Sequence, residues 1–409
     1  MTEQRRGPLD GLLVADFSRV VAGPYAAMLL GDLGADVVKV ERPPHGDDTR
    51  GFGPPFVRYE ENGERLSSYY LSVNRNKRGV VWDLGNADDL RKARALAERA
   101  DVLIENFKPG GADKLGLGYD VLSGANPRLV YCSVSGFGSE GEGARLPGYD
   151  FLVQAVGGLM SITGDGGEHA EPRKVGVAVV DVLTALYASS AILAALVERQ
   201  SSGRGQRVEV DLLSSSLASL INQASTYLTT GEVPRAMGNR HPSIAPYETL
   251  LASDRRFVVA VGNDGQFRAM ARVVGKAWMG EDERFARNAA RVEHREEMLA
   301  ELEEALLGRT AAEWVEELQG AGVPSGVVND IGEAFALAAR VGLSPVVLAD
   351  GQPWPPSRPD PRAQVASPMR FSRTPATYRL PPPLLGEHSA EVESDLSDGG
   401  GPSPQAPVR

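Results

Sequence analysis

Short runs of β-branched and aliphatic residues alternate with helical stretches along the N-terminal part of the chain, the pattern of an open α/β sheet. Leu12–Phe17 (LLVADF), Asp36–Glu41 (DVVKVE), Val80–Leu84 (VVWDL), Val102–Asn106 (VLIEN) and Leu129–Val134 (LVYCSV) predict strands. Between them, Pro24–Leu33 and Ala87–Ala100 predict helices, the first opened by a proline, which suits a first helical position. A parallel, nucleotide-fold-like sheet follows.

The pattern then changes. Val175–Val197 is apolar throughout and carries one charge, Asp181. Its length would let it cross a bilayer, but a charge in hydrocarbon costs on the order of 2.5–3.5 kcal/mol on insertion scales. The expectation is a helix apolar all round because it is covered all round. A polar exit leads to a strand (VEVDLL) and one helix from about Ser214 to Thr230. Turn formers over Gly231–His241 mark a boundary. A smaller α+β unit follows, with strands at 257–262 and 323–328 and helices at Gln266–Val274, His294–Leu307 and Ala311–Gln319. The expected division is a large domain over 8–215, a linker helix over 216–240, a small domain over 241–330 and a second linker over 331–360, proline-rich from Gly351 to Asp360. A return to the large domain spans 361–393. Residues 394–409, poor in groups to bury, are expected to be disordered.

Composition narrows the chemistry. A net charge of −11 argues against a nucleic-acid footprint, so an anionic ligand must be held by local arginines and lysines. One cysteine, Cys132, permits no internal disulfide. The N-terminus carries no apolar leader, so the cytoplasm is the expected compartment. The five histidines show no metal-site spacing, and no metal is expected. A phosphate loop (GxxxxGK[ST]) and a serine elbow (GxSxG) are both absent. The first strand and turn (VADFSRVVAGP), followed by Glu41, imitate a dinucleotide site, but the GxGxxG glycines that let a pyrophosphate approach the backbone are missing.

The motifs in order carry a resemblance. LDGLLVADFSRVVAGPYAAMLLGDLGADVVKVERP, NRNKRGVVWDL, DVLIENFKPG, NPRLVYCSVSGFG, PGYDFLVQAVGGLMSITG, KVGVAVVDVLTALYA, SGRGQRVEVDLL and PPPLLGEH run from Leu9 to about His388. The sequence resembles the class III CoA-transferases, the formyl-CoA transferase or carnitine CoA-transferase family. The resemblance implies a nucleotide-fold-like large domain with a smaller α+β domain, and a homodimer of interlocked chains. It also implies CoA thioesters as substrates, with no tightly bound cofactor. Asp181, in the frame GVAVVD, falls on the family nucleophile; aspartate at a helix start also suits an N-cap, and the two roles are compatible. Arg42 matches the arginine near the adenosine phosphate, and Lys77, Arg78, Asn106, Phe107, Lys114, Val20 and Val21 match other CoA-contacting positions, with Phe107 over the adenine. Gly262 and Gly265, in GNDG, occupy the region of the family's glycine loop without its run of consecutive glycines, and a plain strand-end turn is the other reading.

Racemases of the same fold carry a histidine in the frame GHD. Here the frame is Gly148-Tyr149-Asp150. Phenols titrate near pH 10 and make poor bases where imidazole works well, so transfer is expected over α-carbon exchange. Tyr149 is then a site-wall residue. GYDFLVQAVGGLMSITG and GNRHPSIAPYETL look closest to the succinyl-CoA:glutarate and related dicarboxylate CoA-transferases, implying succinyl-CoA as donor and a dicarboxylate as acceptor. Arg173, Arg240 and His241 are candidates for the cation on a distal carboxylate.

Overall fold

The computed structural model describes residues 7–58, 65–167, 169–348, 360 and 362–397. Six strands form one parallel sheet: β1 (Leu13–Asp16), β2 (Asp36–Glu41), β3 (Lys77–Val81), β4 (Val102–Glu105), β5 (Val130–Ser135) and β6 (Arg207–Asp211). Their spatial order is β3-β2-β1-β4-β5-β6, every neighbouring pair parallel. Strand order therefore reverses between β1 and β4. In doubly wound sheets the crevice beyond the carboxyl ends of those two strands is where ligands bind. Both strands are buried along their whole length, as parallel strands covered on two faces must be.

β3 starts three residues before the predicted strand, at Lys77 rather than Val80. A lysine inside a sheet is tolerated here because its ammonium is fully compensated: Nζ donates to Asp16 (2.9 Å), to the Pro24 carbonyl (2.8 Å) and to Asn74 (2.8 Å). Lys77 has no exposed surface.

Helix α1 (Ala22–Asp32) is buried along nearly all its length. Its small residues bring it close to the chain: a side chain on Gly23 would lie 2.3 Å from Ser18 Cβ. Helix α2 (Asn86-capped, Ala87–Arg99) covers the sheet with Ala93, Leu96 and Ala97. Helix α3 (Asp150–Val156) precedes the long apolar helix α4 (Val179–Ser202), which packs on α1. The expectation that α4 is covered all round is corrected. Val180, Ala185, Ala188 and Ile192 are buried, but Leu186, Tyr187 and Val197 stand exposed, Val197 by 67%.

The predicted helix from Ser214 to Thr230 is two, α5 (Leu212–Ser219) and α6 (Ile221–Thr230), broken at Ile221, whose φ is 34°. The main compact unit comprises the described residues of 7–157, 176–224 and 342–397. Its last helix, Ser389–Ser397, runs past the predicted onset of disorder at 394, because Val392 is buried and Glu393 accepts from Trp82 Nε1 (3.1 Å) and Lys92 Nζ (2.9 Å). The remainder of the predicted tail lies outside the described residues.

A second compact unit comprises 158–175 and 225–341. Its antiparallel sheet has Arg256–Ala260 at the centre, flanked by Tyr247–Leu251 and Ser325–Val327. Phe257, Phe267, Met270, Met298, Trp314 and Leu318 fill its core. Part of the predicted second linker is helix, Ile331–Arg340, opened by a capping box of Asp330 and Glu333. Its proline-rich part, apart from Asp360, lies outside the described residues.

Candidate active site

A cavity of about 640 Å3 opens where the topology places a crevice. The turn after β1 contributes Val20 and Val21, the turn after β4 contributes Asn106 and Phe107, and Tyr149 and Asp181 complete that list of predicted residues. All belong to the main unit. Asn106 joins the two turns: its side chain accepts from the Arg19 N–H (3.0 Å) and donates to the Arg19 carbonyl (2.8 Å).

Asp181 lies in the first turn of α4, not at its cap. The helix begins at Val179, and the capping position is Ala178, whose side chain has nothing to offer. The cap comes instead from Asp150, at the start of α3, whose Oδ1 accepts from the N–H groups of Val180 (2.8 Å) and Asp181 (3.3 Å). Gln154, one turn further along α3 and fully buried, donates to the other oxygen of Asp150 (2.6 Å). Two carboxylates are thus fastened to one helix start. Burial first, and then the charge of Asp150, push the Asp181 carboxyl up to about 7. Among the described residues no hydrogen-bond donor or cation holds the Asp181 carboxylate. Asp181 is among the residues that line the cavity.

Glycines make the approach of this segment possible. Gly148 and Gly136 pack backbone to backbone, so that a Cβ on Gly148 would lie 2.3 Å from the Gly136 Cα. This brings the turn after β5 against the Gly148-Tyr149-Asp150 frame and delivers Asp150 to the start of α4. Tyr149 itself is 64% exposed on the cavity wall. Tyr69 was not foreseen. Burial, followed by the charges of Asp181 and Asp150, raises its phenol, and its ring meets Phe52 edge to face at 5.6 Å. Lys108 and Arg145 also line the cavity and were not singled out in the sequence.

The predicted basic residues part company. Arg42 is exposed and binds Asp48 (2.7 Å), a cavity residue that also holds Arg19 (2.9 Å), which places its guanidinium one contact from the rim. Lys114 is exposed on the short turn Gly111–Lys114 and is not among the lining residues. Lys77 and Arg78 are held by the protein's own carboxylates. Lys77 is enclosed in the core on Asp16, and Arg78 is spent on Asp36, Glu391 and Asp395.

Gly262 and Gly265 belong to the second unit, where Asn263 caps the helix Asp264–Val273 by accepting from Gln266 N–H (3.0 Å) and Gly262 N–H donates to Gln266 (2.8 Å). In the same unit Arg240 pairs with Glu296 and, at 3.6 Å, with Glu248. His241 stacks on Tyr247 with ring centres 5.3 Å apart, and Arg173 lies 3.6 Å from Asp165.

A carboxylate at the switch-point crevice of a doubly wound sheet is the arrangement that covalent group transfer needs. The chain belongs to CoA-transferase family III, whose model matches residues 9–389. It is 43% identical over 396 residues to the succinate–glutarate CoA-transferase of Agrobacterium fabrum, covering 96% of each chain. To the human succinyl-CoA:glutarate CoA-transferase it is 37% identical, over 95% of this chain and 86% of that one. Among solved structures, a CAIB/BAIF family protein from Brucella suis superposes with a TM-score of 0.85 at 41% identity, covering 96% of this chain and all of that one. The protein is a CoA-transferase with CoA thioester substrates.

Proposed function

We propose that the enzyme moves CoA from succinyl-CoA to a dicarboxylate by covalent catalysis on Asp181. The observation that carries the reading is the Asp181 carboxylate, exposed to the switch-point cavity with no partner among the described residues. A carboxylate is a weak nucleophile in water, but one freed of hydrogen bonds in a partly buried site is better able to attack.

Its oxygen attacks the donor thioester carbonyl; the C–S bond breaks, CoA leaves as thiolate, and a mixed anhydride joins Asp181 to the donor acyl group. The thiolate returns to the Asp181 carbonyl, releases the donor acid and leaves an aspartyl-CoA thioester. The acceptor carboxylate then attacks that thioester, expels the thiolate and forms a second anhydride. Attack of the thiolate on the acceptor acyl carbon gives the new CoA ester and restores Asp181. Nothing is oxidised or reduced, and the thioester's energy is conserved as long as water does not intercept an anhydride.

The dicarboxylate is supported by the names of the relatives, two of which act between succinate and glutarate. Arg42, Asn106 and Phe107 remain the proposed CoA contacts of the main unit, and Arg173, Arg240 and His241 the proposed partners of a distal carboxylate. The apolar side chains left exposed on α4 and α6, with Leu228 79% and Ile221 75% exposed, support an interlocked homodimer. The proposed compartment is the cytoplasm. Racemisation finds no support, since tyrosine holds the position of the second base.

Incubating the enzyme with succinyl-CoA and each of a panel of mono- and dicarboxylic acids, and reading the new CoA esters by mass spectrometry, tests the reading. Glutarate or a close dicarboxylate should yield product with the wild type and none with Asp181→Asn. Product confined to monocarboxylates would overturn the acceptor class, and undiminished product with Asp181→Asn would overturn the nucleophile.

A further inference from the structure

The turn after β1 contains a conformation that its residue type resists. Val20 has φ of 71°, in the left-handed region, where a side chain branched at Cβ is the least tolerated. The only other described non-glycine residues with positive φ are Asn76 and Ile221. Val20 also lines the cavity, between Arg19 and Val21. Such a residue persists only where its surroundings over-determine it.

The surroundings here are specific. The Val20 N–H points between the two oxygens of Asp47, at 3.3 Å from each. Asp47 is fastened in turn by Lys39 Nζ (2.9 Å), with both side chains wholly buried, and by the Thr49 N–H and hydroxyl (2.9 and 2.7 Å). The same Lys39 ammonium donates to the Ser18 carbonyl (3.0 Å), two residues before Val20. One buried ion pair thus grips both ends of the Ser18–Val20 turn, while Asn106 clamps Arg19 between them. Against burial, which would raise it, Lys39 brings the Asp47 carboxyl down to about 2, so the pair stays charged through the working pH range. A buried ion pair is not in itself a stabilising device, which makes its use for geometry the more economical account.

We infer that Asp47, backed by Lys39, is a positioning residue for acyl-CoA binding: it holds Val20 in the left-handed conformation that gives the Arg19–Val20–Val21 wall of the cavity its shape. Neither Asp47 nor Lys39 lines the cavity. The inference rests on the reading of this cavity as the CoA site.

Asp47→Glu tests it without stranding Lys39, since the charge is kept and the carboxylate is displaced by one methylene. The Michaelis constant for succinyl-CoA should rise about ten-fold or more, with kcat within about three-fold of wild type, the pattern of lost ground-state binding. Glycine adopts positive φ without penalty, so in a Val20→Gly background the same Asp47→Glu change should raise the constant by less than about three-fold. An equal rise in both backgrounds would overturn the inference, because Asp47 would then not act through Val20. An unchanged constant for Asp47→Glu would overturn it also. Calorimetry with free CoA separates the two levels of the argument. Wild type that binds CoA alongside an Asp47→Glu protein that binds it equally removes the positioning role alone, whereas a CoA affinity of the wild type indifferent to Phe107→Ala removes the cavity reading and this inference with it.

Discussion

Asp181 stands where opposing influences meet. A helix start favours a negative charge by about 0.3–1 kcal/mol, whereas burial and a neighbouring carboxylate disfavour it. Burial and Asp150 win, and the carboxyl is pushed up to about 7. The sign of the pH dependence follows. The proposed nucleophile, its pKa raised above the ordinary carboxylate range, is protonated below about 7 and ionises as the pH rises through it, so kcat/KM for the donor should climb across that window. Asp150→Asn keeps a cap acceptor for the Val180 N–H but removes the charge. Its acid limb should move to lower pH, and a pH–rate profile with the limb unmoved would show that Asp150 does not set the ionisation of Asp181. At this scale the frame GVAVVD singles out Asp181, which the structure places on the cavity wall, and is silent on what surrounds it. Lys77 looks like a surface cation in NRNKR, because nothing nearby in the chain announces that Asp16, 61 positions away, neutralises it in the sheet. Asp150 was in view as the end of the GYD frame, yet its capping of a helix that starts 29 residues later is a tertiary fact.

Among elements, the strands were the most readable because uninterrupted β-branched runs suit strands buried on both faces. The misreadings came where local pattern and tertiary demand differ. The sequence predicts α5 and α6 as one helix because no proline or glycine separates them; the break is made by Ile221 itself. The close crossing of Gly136 and Gly148 is the counterpart at the site. Gly148→Ala would place a methyl group 2.3 Å from the Gly136 Cα, so the two segments must part. A cost of about 1–3 kcal/mol is expected, as for other overpacked positions. A lowered Tm should accompany a fall in kcat, since Asp150 and the start of α4 move with the frame. Unchanged melting and turnover would mean that the two backbones do not cross this closely.

On the scale of the whole molecule, the net charge of −11 keeps phosphate ligands dependent on a few local cations, and the exposed apolar side chains of α4 and α6 support the proposed homodimer. A homodimer is the expected state by light scattering. Leu228→Lys, on a residue 79% exposed, should weaken it and lower activity in parallel, whereas a wild-type monomer with full activity would remove the dimer from the account. The central claim is covalent transfer through one carboxylate, and trapping the intermediate tests it most directly. With succinyl-CoA present, sodium borohydride should reduce the aspartyl-CoA thioester and inactivate the enzyme, and peptide mass spectrometry should find the reduced residue at Asp181 within VAVVDVLTALY. Without donor, neither inactivation nor reduction should occur. Reduction at another carboxylate, Asp150 included, or full activity after treatment in the presence of donor, would contradict it.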